Sequence, residues 1–194
     1  MITVLMGLQA ALAKYEPKKL LAAPLITGAS VSADWKSLSP GKRLALKYTD
    51  SEKIRTRAVG GRAGVETIKT LNDADFTGRS IVLALDFLFW DSTLESISGS
   101  LLALDQLIEI PALLPPGRQP QREKLNKAIH ANCVASENCY VMAFDKLHRQ
   151  IRRDGYLVIK NRRFTLRELI PDGLHLSEVA GQELMDRLEA LISH

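Results

Sequence analysis

Leu20-Leu21-Ala22-Ala23-Pro24-Leu25-Ile26-Thr27-Gly28-Ala29-Ser30 is an apolar run that stops at three small residues. A short apolar run closed by small residues is the signature of a buried strand that leads into a tight turn. The pattern recurs downstream. Arg55 to Val59 ends at Gly60-Gly61, and Ser80 to Leu85 is almost wholly aliphatic, as a strand covered on both faces of a parallel sheet should be. Gly64 to Leu71, Leu94 to Ile108, Gln121 to Cys133 and Lys146 to Arg153 carry helical spacing, and Cys139 to Phe144 reads as a fourth strand. Strands separated by helices with no long linker predict a three-layer α/β/α sandwich around a mostly parallel central sheet. Ligands bind such sheets beyond the carboxyl ends of the strands. The endings at Ser30, at Gly61 and after Leu85 are therefore expected to meet at one rim.

Farther along, Pro111 to Pro120 is expected to be a loop because its prolines cannot continue a helix. Tyr156 to Ile159 and Arg163 to Leu166 suggest a small hairpin through Lys160 to Arg162, although the connector lacks the usual Asn-Gly or Asp-Gly. Ser177 to Ile192 reads as an amphipathic helix capped by Ser177, with Val179, Leu184, Leu188, Leu191 and Ile192 for a core face.

The chain has 194 residues and a mass of 21.5 kDa, which suits one domain spanning residues 1 to 194. With 46% apolar and 25% charged residues, its composition excludes a disordered chain. No apolar stretch approaches the roughly 20 residues that cross a bilayer. Met1 to Ala13 is apolar but has no basic residue ahead of it, so a docking helix is expected there rather than a secretory leader. Cys133 and Cys139 are too few for a disulfide framework or a four-cysteine zinc site; independent buried thiols are expected, with a bridge between them as the alternative. They lean towards a reducing, cytoplasmic setting. The net charge of +4 comes from basic residues between Lys36 and Lys69 and between Lys146 and Arg167. No nucleic-acid-binding motif accompanies them, so a solvated face is expected. His130, His148 and His194 read as surface residues, and no metal site is expected.

Two signals carry chemistry. Ser30 follows a strand through Gly28 and Ala29, small residues that let the backbone turn and expose the hydroxyl; an N-cap is the plain alternative. Pro171-Asp172-Gly173-Leu174-His175-Leu176-Ser177 places a carboxylate three residues before a histidine, in a turn ahead of the last helix. Histidine can take a serine proton near neutral pH while a carboxylate fixes its tautomer; turn formation alone is the other reading. Taken in order, Gly28-Ala29-Ser30, Gly60-Gly61-x-x-Gly64 and Asp172-Gly173-Leu174-His175-Leu176-Ser177 resemble the blocks of the SGNH/GDSL hydrolases, over residues 20 to 192. The resemblance implies an esterase without a cofactor, acting on a small-molecule ester. Ser30 would carry the acyl group, His175 would act as general base and acid, and Asp172 would orient His175. The backbone N–H groups of Ser30 and Gly61 would receive the oxyanion.

The chain departs from that pattern twice. Gly-Asp-Ser is here Gly-Ala-Ser, and the Gly-x-Asn-Asp of the third block is replaced by Ala84-Leu85-Asp86-Phe87-Leu88-Phe89-Trp90-Asp91, which has no asparagine. Asp86 stands at the oxyanion position, but an ionised carboxylate cannot donate. It would act there only if protonated; capping a backbone turn is its alternative. Phe87, Phe89 and Trp90 suit an acyl pocket or plain packing. Two other functions remain open at this level: an inactive relative that binds a ligand at the same rim, and a basic module for an anionic partner.

Overall fold

The computed structural model describes residues 16–112, 114 and 121–193. Four parallel strands form the central sheet: β1 (Leu25–Gly28), β2 (Arg55–Ala58), β3 (Ile81–Ala84) and β4 (Ile108–Pro111), in the order β2-β1-β3-β4. Helix α1 (Pro17–Leu20) precedes β1, and between the strands lie α2 (Pro40–Leu46), α3 (Gly64–Ile68), α4 (Asp73–Phe76) and α5 (Leu94–Leu104). After β4 come α6 (Gln121–Ala135), α7 (Phe144–Asp154), the hairpin β5 (Leu157–Ile159) and β6 (Arg162–Phe164), α8 (Leu166–Leu169) and α9 (Glu178–Ser193).

Alternation along the strands divides the core. Ile81 and Leu83 of β3 join Leu44 of α2 with Leu184, Leu188 and Ile192 of α9 on one face. Val82 and Ala84 join Ile97, Leu101 and Leu104 of α5 with Leu125 and Ile129 of α6 on the other. All three layers of the expected α/β/α sandwich are thus present. Each wholly buried Leu or Ile contributes about 1.5–3 kcal/mol, so both faces must stay covered. α2 approaches the sheet closely because Gly41 has no side chain: a β-carbon there would lie 3.3 Å from that of Leu83.

Several boundaries differ from the sequence reading. The first strand begins at Leu25 rather than Leu20, because Pro17 opens a helical turn ahead of it. Helix α5 stops at Leu104, and Ile108–Pro111 is a strand where helix and then loop were expected. Glu109 and Pro111 disguised this strand, since neither residue advertises a buried one. Cys139 to Phe144 is not a regular strand: it touches the β4 edge through isolated parallel bridges, Glu109 to Cys139 and Ala112 to Met142, and Phe144 already begins α7. The hairpin forms without Asn-Gly because Lys160 and Asn161 both adopt positive φ, 47° and 66°, as a two-residue connection of this hand requires. In α9, Ala180 and Met185 take core places while Val179 lies exposed. His130 is exposed as expected, but His148 is buried on α7. Cys133 and Cys139 are buried, yet bonded to each other in a disulfide, so their argument for a reducing compartment falls. The docking-helix segment Met1 to Ala13, most of the Pro111 to Pro120 loop and His194 lie outside the described residues. No helix among the described residues is long and apolar enough to cross a membrane.

Glu109 sits in β4 with its side chain buried against the disulfide, and its Oε2 has no hydrogen-bond partner among the described residues. Burial, reinforced by the nearby Asp105 charge, pushes its carboxyl up to about 8. The unfolded chain releases this proton near pH 4.5 while the folded chain keeps it, so stability declines as pH rises between those two values. Glu109→Gln removes the titration. Urea unfolding at pH 5, 6.5 and 8 should show the variant gaining on the wild type with rising pH, by about 1–3 kcal/mol at pH 8; a gap that does not vary with pH refutes this reading of Glu109.

Candidate active site

Ser30 lies one turn beyond β1, at the carboxyl rim of the sheet, and is 8% exposed. Asp86, just past β3, fixes that turn. Its carboxylate accepts from the backbone N–H of Ala29 at 3.0 Å, Val31 at 2.7 Å and Ser32 at 3.3 Å, and from the Ser32 hydroxyl at 2.5 Å. Gly28 permits the approach, for it has φ of 148° and a β-carbon there would stand 2.2 Å from Asp86 Oδ1. Burial pushes the Asp86 carboxyl up, opposed by the hydrogen bonds from Ser32, Val31 and Ala29. In either protonation state its oxygens are engaged by the turn. The structure therefore gives Asp86 the turn-capping role and corrects its placement as an oxyanion donor. The Ser30 N–H, by contrast, donates to no acceptor among the described residues.

The second β-strand ends at the glycine loop, as the sequence suggested. A β-carbon at Gly60 would lie 3.7 Å from Ser30 Cβ, while Gly61, with φ of 70°, has open space around it. Asp91 closes this loop, its Oδ2 accepting from Gly64 N–H at 2.7 Å. Both aspartates of the third block thus hold backbone amides in place, one for the serine turn and one for the start of α3.

His175 comes from the opposite end of the chain. Its Nε2 lies 3.0 Å from Ser30 Oγ and its Nδ1 2.7 Å from Asp172 Oδ2. Asp172 also accepts from the N–H of His175 at 2.7 Å and of Leu174 at 3.0 Å. These donors, with the His175 backbone first, hold the Asp172 carboxyl well below the usual carboxylate range. An ionised Asp172 requires the proton on Nδ1, which leaves Nε2 as the acceptor facing the serine hydroxyl. Trp35 flanks the imidazole with ring centroids 6.2 Å apart.

Ser30 opens onto a cavity of about 250 Å³. Leu85, Phe89, Met142 and Leu174 contribute apolar wall, and Arg122, His148 and Arg152 contribute the polar part. Phe89 lines this cavity with Trp90 against its edge, centroids 5.1 Å apart, whereas Phe87 is wholly buried packing. Burial lowers the pKa values of Arg122 and His148, the latter aided by the Arg152 charge. These three residues escaped the sequence reading: each sits in a helical segment rich in charge, and no spacing distinguishes an inward-facing Arg from a solvated one. Among the described residues, the group of Glu109, Cys133 and Cys139 has ligand atoms close enough for a metal, but both sulfurs are committed to the disulfide.

A lipase/acylhydrolase from Enterococcus faecalis has a similar fold, with a TM-score of 0.58 over 88% of this chain and 95% of that one, at 17% sequence identity. This likeness bears out the fold that the resemblance to the SGNH/GDSL hydrolases implied. No protein-family model and no curated protein sequence matches the chain.

Asp86→Asn puts an amide nitrogen against backbone donors and leaves at least one of them unmet. It should lower stability by about 1–3 kcal/mol, read as a shift of the thermal midpoint. Unchanged stability would show that the turn holds itself.

Proposed function

We propose that the chain is a serine hydrolase that cleaves a carboxylic ester of a small acyl group, acetyl included, through an acyl-enzyme. The observation that carries this reading is the unbroken hydrogen-bonded series Asp172–His175–Ser30 opening on an apolar cavity. A serine hydroxyl alone is a weak nucleophile, and a positioned base is what activates it.

In this mechanism Ser30 Oγ attacks the ester carbonyl while His175 Nε2 takes the hydroxyl proton. Ionised Asp172 holds the tautomer and stabilises the imidazolium. The tetrahedral oxyanion accepts from the N–H groups of Ser30 and Gly61. Collapse breaks the bond to the alcohol oxygen, which leaves with the proton from His175. Water then attacks the acyl-serine, giving its proton to His175, and Ser30 is regenerated as the acid departs. No cofactor takes part. The absent third-block asparagine leaves the oxyanion two donors, and one donor of this kind is worth about 100–1,000-fold in rate. Modest turnover follows.

Fluorophosphonate labelling tests the reading. Wild type should label, Ser30→Ala should not, and His175→Ala should label far more slowly, with circular dichroism confirming that each is folded. Absence of labelling in folded wild type would sink the activated serine and favour a rim that binds without turning over. Asp172→Ala should retain the fold and lower kcat on a responsive ester by roughly 10²–10⁴-fold; an effect below tenfold would demote Asp172 to a turn residue.

A further inference from the structure

Arg122 and Arg152 enter the Ser30 cavity from different helices, α6 and α7. The Arg122 guanidinium lies over the Phe89 ring, 4.8 Å from its centroid, and its Nη1 is buried without a hydrogen-bond partner among the described residues. Beside them His148 Nδ1 is also buried, with no hydrogen-bond partner among the described residues. Neither arginine is ion-paired among the described residues, and the residues outside that set include no Asp or Glu. The acidic side chain lining the cavity is Asp86, whose oxygens are engaged by the 29–32 turn. The half-buried Arg122 and the His148 imidazole nitrogen therefore share a largely apolar space, with the exposed Arg152 at its mouth; there an opposite charge beside Arg122 is favoured.

We infer that this cavity selects acyl groups ending in a carboxylate, so that the preferred esters are half-esters of short dicarboxylic acids, with Arg122 and Arg152 receiving the distal carboxylate. The apolar wall suits the methylene chain, and a planar carboxylate matches the guanidinium fork better than a bulkier anion does. A cavity of about 250 Å³ suits an acyl chain of a few carbons. The inference rests on the reading of Ser30 as nucleophile only for the cleavage step; the anion site itself is independent of it.

Binding separates the two. Glutaric acid monoamide and pentanamide differ at the far end, carboxylate against methyl, and neither is an ester. Titrated calorimetrically into the Ser30→Ala protein, the monoamide should bind at least about tenfold more tightly, the size that hydrogen bonds to a charged group support. In the same background Arg122→Gln should bring that ratio close to one, Arg152→Gln, at the exposed mouth, should reduce it, and Lys124→Gln, on the exposed side of α6, should not change it. Equal affinities overturn the inference, as does no monoamide signal at its solubility limit, or a preference that survives Arg122→Gln or falls equally with Lys124→Gln. If the preference holds while wild type resists the fluorophosphonate, the nucleophile fails and the anion site stands.

Discussion

The carboxylate of Asp86 is the constraint on which the site depends. A turn that leaves a strand abruptly exposes consecutive amides with no strand or helix partner, and buried amides left unmet destabilise the fold. Here one carboxylate from the neighbouring strand end gathers three of those amides and a hydroxyl. The Ser30 amide, between two bonded ones, has no acceptor among the described residues.

The same interaction links the two departures from the hydrolase pattern. Gly-Ala-Ser lacks a carboxylate beside the nucleophile, and the third block lacks its asparagine. Read singly, each looks like a loss. In space the carboxylate absent at position 29 is present at position 86, bonded to the position 29 amide itself. The rim residue that the pattern would make a donor is here an acceptor, and it firms the serine turn.

What the sequence made legible follows from locality. β1 and β3 were readable because each is a short apolar run closed by small residues, β2 (Arg-Thr-Arg-Ala) because Gly60-Gly61 marks its end, and Asp172–His175 because three residues of turn carry both groups. β4 was missed because Glu109 occupies a buried position and Pro111 closes the strand, so composition argued against it. The disulfide was read as the less favoured option because the separation of Cys133 from Cys139 says nothing of whether a helix end and a sheet edge converge. Arg122 and His148 were missed for a related reason: which side of a helix faces a cavity depends on partners distant in sequence.

Ser30 and His175 are 145 residues apart in the chain, and a contact of 3.0 Å between them cannot hold itself, since one exposed or half-buried hydrogen bond contributes only about 1 kcal/mol. The framework is α2 against α9. The serine turn runs through Asp34 into α2, where Asp34 accepts from Ser39 N–H and from Lys42. The His175 turn runs directly into α9 and is tied back by Ser37 to the Leu176 carbonyl and by Ser177 N–H to the Leu169 carbonyl. Arg43 of α2 donates to the Leu38 carbonyl and pairs with Glu178 at the start of α9. Gly181 leaves room for the crossing, since a β-carbon there would lie 3.4 Å from Arg43 Nε. Buried Leu44 and Leu188 share the same core cluster beneath this framework. The register of Ser30 and His175 is thus set by hydrophobic packing between two helices, whose buried contacts outweigh any single hydrogen bond at the rim.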